Sequence, residues 1–416
     1  MSFEPRNVFI TGGAGFIGAN FVRHWLANTR EGRVVVFDAL TYAGNIDNLA
    51  GLDGNPRYIF VKGDICDEAT VRALLEQHHI DTVAHFAAES HVDRSILGPD
   101  DFIRTNIVGT HSLLKAAKTL WIDRKTVPAH RFHHVSTDEV YGSLGPKDAP
   151  FHEATPYAPN SPYSASKASS DHLVRAYHET YGLDTTVTNC SNNYGPYQFP
   201  EKLIPLTIVN ILLGKPLPVY GDGLQVRDWL HVEDHCVAIA LALKRGRPGE
   251  VYNVGGNSET TNIEIVRTLC GLVDQAIGAR ADLRAAFPAS PAVGGKRAVE
   301  LITHVRDRLG HDRRYAIDYS KSAAELGYAP ARDLATGLRA TLDWYLANTR
   351  WWQALRKWRT RMRSSSCPNV VQRSGQRFPH KNPQNTRQVY RRAVYQIRIR
   401  RRARLPRCLM CGSVGA

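Results

Sequence analysis

The tightest constraint on this chain lies in its first 40 residues. An apolar strand, Val8 to Ile10, runs straight into Thr11-Gly12-Gly13-Ala14-Gly15-Phe16-Ile17-Gly18, a G-x-x-G-x-x-G spacing that opens a helical pattern over Phe16 to Ala27. Glycines at this spacing permit a tight turn and let the backbone approach a pyrophosphate, whose charge then sits at a helix N-terminus. A glycine triplet alone is weak evidence. Asp38 supplies the context: it ends the next apolar run 20 residues after Gly18, where a carboxylate binds ribose hydroxyls and disfavours a 2′-phosphate. The segment predicts a dinucleotide site that takes NAD in preference to NADP.

The rest of the first 190 residues keeps the same rhythm. Asn7 to Thr11, Val34 to Asp38, Tyr58 to Lys62, Thr82 to Phe86, Arg131 to Ser136 and Asp184 to Asn189 read as buried strands. Helical patterns lie between them, notably Ala69 to His78, Phe102 to Leu120 and Ser164 to Tyr181. Such alternation predicts an α/β fold, a Rossmann-type doubly wound parallel sheet. From about Cys190 the rhythm breaks into Pro- and Gly-rich stretches, and a last helix is expected over Leu334 to Trp358. We therefore divide the chain into an NAD-binding domain (1–189), a smaller substrate-binding domain (190–358), with some chain crossing between them, and a tail (359–416).

The formal charge of +14 suggests nucleic acid until it is located along the chain. Beyond position 350 stand 17 lysines and arginines and no acid, so residues 1–350 carry a net −3. The tail lacks apolar periodicity and reads as poorly structured; without interleaved aromatic platforms it is an incidental extension rather than a nucleic-acid arm, although its charge suits anionic partners. No stretch is apolar enough to span a membrane and no leader pattern opens the chain, so a cytoplasmic protein is expected. Cys66, Cys190, Cys236 and Cys270 lack ligand spacing, and Cys408-x-x-Cys411 has no companion pair, so reduced thiols and no metal are expected.

Two segments carry chemistry. Tyr163 and Lys167 stand four apart at the start of a helix and so share a face. A tyrosine with a reference pKa of about 10 is a poor base at neutral pH, but a neighbouring ammonium stabilises its phenolate. Thr137, Asp138 and Glu139 follow the fifth strand. In isolation that tripeptide is a good helix cap or a solvated acidic loop. In a cofactor crevice its two carboxylates supply one acid and one base, provided their surroundings push their pKa values apart. Small residues in Phe86-Ala87-Ala88-Glu89-Ser90, at the end of the fourth strand, leave room for the cofactor, and Asp64 with Ile65 can meet its adenine.

Together these segments resemble the dTDP-glucose 4,6-dehydratases, members of the extended short-chain dehydrogenase/reductase superfamily, over roughly residues 6–352. The matching stretches are Thr11 to Gly18, Ala87 to Ser95, Ser136 to Gly142, Tyr163 to Lys167, Cys190 to Pro196, Pro200 to Pro205, Arg227-Asp228-Trp229 and Asp307 to Asp318. The resemblance implies oxidation at C4 of a nucleotide-bound hexose by NAD with Tyr163 and Lys167 assisting. Elimination of water across C5 and C6 by Glu139 and Asp138 follows, and then return of the hydride to C6. It implies a cofactor site of Gly12, Gly15, Phe16, Ile17, Gly18, Asp38, Leu40, Thr41, Asp64, Ile65, Phe86, Ala87, Ala88, Ser90, Thr105, Tyr163, Lys167 and Asn193. Asn192, Lys202, Leu203, Arg227, Asn262, Asp307 and His311 would hold the nucleotide or its diphosphate, and Ser90 and Thr137 the hexose. Arg227 and Lys202 suit phosphate oxygens, and Pro218-Val219-Tyr220 offers an apolar wall for a base.

The family pattern departs at one site position, where Leu309 replaces the usual Pro of Asp-Arg-Pro-Gly-His-Asp. Nucleotide-sugar 4-epimerases share the glycine turn and the Tyr/Lys pair but place Ser-Ser and a small residue where this chain has Thr-Asp-Glu. UDP-glucose dehydratases share Thr-Asp-Glu. A non-catalytic NAD sensor would not need all of Tyr163, Lys167, Asp138 and Glu139. The resemblance also implies a homodimer, paired through the helices at Phe102 to Leu120 and Ser164 to Tyr181.

Overall fold

The computed structural model describes residues 3–356. The expectations for the tail 359–416, including Cys408 and Cys411, lie outside the described residues. The strands in chain order are β1 (Val8–Thr11), β2 (Val34–Asp38), β3 (Tyr58–Lys62), β4 (Thr82–His85), β5 (Arg131–Thr137), β6 (Thr185–Cys190), β7 (Asn192–Tyr194), β8 (Leu217–Tyr220), β9 (Val226–His231), β10 (Val251–Val254), β11 (Glu259–Thr261) and β12 (Ile302–Val305).

Seven of them form one parallel sheet, ordered β3-β2-β1-β4-β5-β6-β10. From β1 the chain winds outward to β2 and β3, then returns to the other side of β1 at β4, so Val8 pairs with Val34 on one side and Thr82 on the other. This reversal opens a crevice beyond the carboxyl ends of β1 and β4, the position where doubly wound sheets bind ligands. Helices cover both faces. Central strands such as β1 (VFIT) and β2 (VVVFD) are consequently buried at every residue and read as continuous apolar runs rather than alternating ones.

Strand β5 is buried throughout although it is largely polar. Most of its polar side-chain atoms are matched, His134 Nδ1 being the one left without a partner. Arg131 forms a two-pronged pair with Asp184, at 3.1 and 3.2 Å, and donates to the carbonyls of Ala242 and Leu243. His133 bridges Thr186 (2.9 Å) and Thr188 (3.1 Å) on β6. A buried polar group costs little only when it is hydrogen-bonded, and β5 meets that condition by pairing side chain to side chain with its neighbour.

Two expected helices differ in detail. Phe102 to Leu120 belongs to a longer helical stretch, 100–123, interrupted by π segments at Ile103–Gly109 and Thr119–Asp123. The wider turns begin where Asn106 leaves the helix surface to bond the Glu89 backbone and Ser166. The C-terminal helix runs Leu334–Ala347, breaks at Asn348, whose amide caps the Trp344 carbonyl, and resumes over 349–356.

Beyond β6 the chain builds two small sheets, β11-β9-β7 and β12-β8, around an apolar core that includes Ile204, Ile208, Leu269, Leu338 and Trp352. The division is crossed by β10, which adds to the edge of the main sheet beside β6, and by the helix Val232–Arg245, whose Val232, Cys236, Ile239 and Leu243 pack with Val8, Ala84 and Val135. Cys66, Cys190, Cys236 and Cys270 carry free thiols. Among the described residues no helix is long and apolar enough to cross a membrane. His133→Leu should lower the urea midpoint by the equivalent of about 1–3 kcal/mol, because it leaves two buried threonine hydroxyls without their shared partner; an unchanged midpoint would show that those threonines re-pair locally.

Candidate active site

The crevice is a cleft of about 970 Å³. Gly12, Gly15, Phe16, Ile17, Gly18, Asp38, Thr41, Asp64, Ile65, Phe86, Ala87, Ala88, Ser90, Thr105 and Asn193 all line it. Gly12 has φ of +68°, and a Cβ there would lie 2.5 Å from the Ala87 nitrogen; at Gly18 a Cβ would sit 2.8 Å from the Gly13 Cα. No larger side chain fits either position, and the backbone is left bare toward the cleft. Asp38 is buried and ties the two loops together: Oδ2 accepts from Ala14 N (2.9 Å) and Oδ1 from Leu40 N (2.7 Å). Leu40 itself turns with φ of +53° and does not line the cleft, so its part is to let the chain turn beneath Asp38. Asp64 pairs with Arg104 at 2.6 Å on the rim. A bare glycine turn with a buried carboxylate bonded to its backbone, at the wall of a cleft of this size, fits a dinucleotide.

The reacting side chains come from two elements that meet at this cleft. Ser161 and Ser164 form a reciprocal cap, with Pro162 in the first turn, and so start the helix Pro162–Tyr181 immediately before Tyr163. Tyr163 and Lys167, one turn apart, both line the cleft. On the other element, Thr137 ends β5 and caps the short 3-10 turn Asp138–Tyr141, its Oγ1 accepting from Glu139 N at 3.3 Å. The tripeptide is thus a cap and a cleft wall at once.

The electrostatic settings of the two carboxylates diverge. Burial, then the neighbouring Glu139 and Asp228 charges, hold the Asp138 carboxyl well above the usual carboxylate range, and its Oδ2 has no hydrogen-bond partner. Burial also raises Glu139, but Arg308, Lys202 and Arg227 oppose the rise. Both carboxyls are raised, Asp138 the further, while the charges of Arg308, Lys202 and Arg227 hold Glu139 back.

Tyr163 corrects one expectation. Burial, followed by Glu139, Cys190 and Asp138, holds its phenol well above 10, with the Thr137 hydroxyl pulling the other way. The Lys167 ammonium is engaged elsewhere, donating to the Val135 carbonyl (2.9 Å) and to His134 Nε2 (3.1 Å).

The expected substrate residues fall into two groups. Ser90, Thr137, Asn192 and Lys202 line the cleft, Lys202 bonding the Ser90 carbonyl at 3.1 Å. Outside the cleft lining, Arg227 stacks on Tyr315 (4.2 Å), Asp307 bonds His311 (2.6 Å) and Gln225 (3.1 Å), and Tyr220 meets His311 edge-on. Asn262 opens a helix, its amide bonded to the Gln225 carbonyl. Leu203 packs against the apolar core, as does Val219, since the pleat of β8 turns it inward while Pro218 and Tyr220 face out. The apolar wall is therefore Pro218 and Tyr220 without Val219. Leu309 is 72% exposed.

Arg308 escaped the sequence reading because it sits between two residues that drew attention, Asp307 and His311. It is the foremost cation acting on Glu139, and it also reaches Asp93 at 3.7 Å. Cys190 on β6 faces the cleft too.

The fold is shared with solved enzymes of more than one reaction. A UDP-glucose 4-epimerase of Thermotoga maritima superposes with a TM-score of 0.69 at 28% identity, covering 82% of this chain and 99% of that one. A dTDP-glucose 4,6-dehydratase of Streptomyces venezuelae, solved with NAD bound, superposes at 0.74 with 47% identity, covering 84% and 99%. The family model described as GDP-mannose 4,6 dehydratase matches residues 9–341. The dTDP-glucose 4,6-dehydratase of Xanthomonas campestris is 59% identical over 351 residues, 83% of this chain and 95% of that protein. The chain belongs to the dTDP-glucose 4,6-dehydratase family.

Replacing Arg308 should test the electrostatic half of the Thr-Asp-Glu turn. Arg308 lowers Glu139, so Arg308→Ala raises the Glu139 pKa and the acid limb of the kcat/KM profile should move to higher pH, by roughly one unit. Arg308→Lys should move it less, and an unmoved limb in Arg308→Ala would show that Lys202 and Arg227 suffice.

Proposed function

We propose that this chain converts dTDP-glucose into dTDP-4-keto-6-deoxyglucose and water. The observation that carries the reading is the divergent setting of two adjacent carboxyls, Asp138 buried with an unpartnered oxygen and Glu139 facing Arg308, Lys202 and Arg227. An elimination needs an acid and a base at neighbouring carbons in addition to the Tyr/Lys pair; a 4-epimerisation has no elimination and needs no such second pair.

When bound in the cleft, NAD supplies the hydride acceptor for C4 and afterwards the donor for C6. The residues of the glycine turn and Asp38 hold its pyrophosphate and adenosine ribose. Thr137 Oγ1 orients the C4 hydroxyl, and Tyr163 takes its proton, with the Lys167 ammonium nearby to stabilise the phenolate once the site is filled. The resulting C4 ketone acidifies the C5 hydrogen, which Glu139 removes. Asp138 gives its proton to the C6 oxygen, which leaves as water. Lys202 and Arg227 hold the diphosphate, Asn192 contributes a polar contact, Asp307 and His311 face the nucleotide, and Pro218 with Tyr220 flanks the base. On this reading the NAD site is drawn mainly from residues 1–189, with Asn193, and the nucleotide site mainly from 190–358.

A homodimer, formed through the 100–123 and Pro162–Tyr181 helices, accounts for the exposure of Ile103, Val108 and Tyr181 on these elements. A cytoplasmic enzyme accords with this chemistry.

Incubation with dTDP-glucose and, separately, UDP-glucose should give the alkaline absorbance of a 4-keto-6-deoxy sugar with the first substrate. No product from either, with NAD bound, rules the reading out; a galactose product would make the chain an epimerase. In Glu139→Gln, NADH should still accumulate while exchange of the C5 hydrogen with solvent falls at least a hundredfold, the scale of a lost general base. Full turnover in that variant would remove Glu139 from the base role.

A further inference from the structure

Behind the Tyr/Lys pair lies a sealed polar cluster to which no part in the reaction has been given above. Asp171 stands one helical turn beyond Lys167, and both are almost wholly buried. Between them sits the imidazole of His134, from the middle of β5, with no solvent exposure. Its Nε2 is 3.1 Å from Lys167 Nζ and 3.2 Å from Asp171 Oδ1. Burial and the adjacent ammonium keep this histidine well below its ordinary 6.5, so it is neutral and its Nε2 lone pair accepts from Nζ; Asp171 Oδ1 faces the same unprotonated nitrogen without a hydrogen bond and acts on the ammonium through its charge. The other carboxylate oxygen, Oδ2, accepts from Ser136 Oγ (2.8 Å) and Tyr157 OH (3.1 Å).

We propose that Asp171, acting with His134, is the positioning residue that keeps Lys167 protonated and aimed at the cleft. The geometry commits two of the three Nζ hydrogens, one to the Val135 carbonyl and one to His134, and leaves the third for the cleft that Lys167 lines. A fully buried ammonium without an anion loses its proton, because desolvation penalises the charged form. The groups facing Lys167 are Tyr163 and Asp171 on its own helix, His134 on β5, Cys190 on β6 and His85 on β4. Cys190 is held as a neutral thiol by burial, and His85 and His134 are neutral, so Asp171 is the anion of the set. Burial pulls Lys167 down to about 8, with Asp171 the foremost influence in the opposite direction. The cluster rests on the dehydratase reading only for its consequence, since the protonation of Lys167 is measurable without substrate or NAD.

The test uses the whole chain labelled with ¹³C at lysine Cε, its Lys167 resonance identified by loss in Lys167→Met. Without cofactor, Lys167 should titrate near 8 in the parent and at least one pH unit lower in Asp171→Asn. In turnover, the alkaline limb of kcat/KM should move down by a similar amount, with Asp171→Glu restoring it. A Lys167 titration unchanged in folded Asp171→Asn overturns the proposal, as does an unmoved alkaline limb. Should Asp171→Asn not fold, the parent still decides: its Lys167 resonance should show a second, smaller inflection near pH 6, where Asp171 takes up its proton. A single inflection refutes the coupling. Absence of dehydratase turnover in the parent would count against the reaction and leave the titration standing.

Discussion

Burying ionisable groups without water is the constraint to which the rest of this structure answers. Asp138, Lys167, His134 and Asp171 lie within two segments of chain, each almost fully removed from solvent. Each isolated charge in such a place costs several kcal/mol, so the charges must be opposed, shared or neutralised. The chain uses all three devices. Asp138 is kept neutral, Lys167 is opposed through an imidazole, and Asp171 shares its charge with two hydroxyls. The parallel sheet makes this possible by holding β5 and β6 in fixed register, so that polar side chains on adjacent strands meet at hydrogen-bonding distance.

Much of this was legible in the sequence, for identifiable reasons. The glycine turn, Asp38 and the apolar runs of β1 to β4 announce themselves because steric exclusion and two-sided burial admit few residue types. Thr137 to Glu139 and Tyr163 with Lys167 stood out only in company, through the glycine turn upstream and the family resemblance. What spacing could not convey was direction. The pleat that turns Val219 inward and the bonds that draw Lys167 Nζ toward His134 rather than Tyr163 depend on neighbours far away in the chain. The turn at Leu40, with φ of +53°, was likewise invisible, because nothing in a leucine side chain announces that backbone conformation.

The least legible residues were polar ones inside the sheet. His133 and His134 in a strand suggest solvent on one face, yet both are sealed, because helices lie on both faces and β6 presents threonines opposite. Asp171 did leave a trace, standing four residues after Lys167 on the same helical face. That trace was overshadowed by the Tyr/Lys pair one turn earlier. Arg308 was hidden in a similar way, between two neighbours with more familiar roles.

The return of β10 to the main sheet has a consequence of another kind. Because this strand, drawn from the second half of the chain, covers the outer flank of β6, the nucleotide-binding half is not self-sufficient. A fragment ending near residue 189 would expose a row of unpaired amides and carbonyls along a fully buried strand, the kind of open edge that recruits other chains. Synthesis must therefore proceed well past the catalytic residues before the sheet that carries them is closed against its own kind.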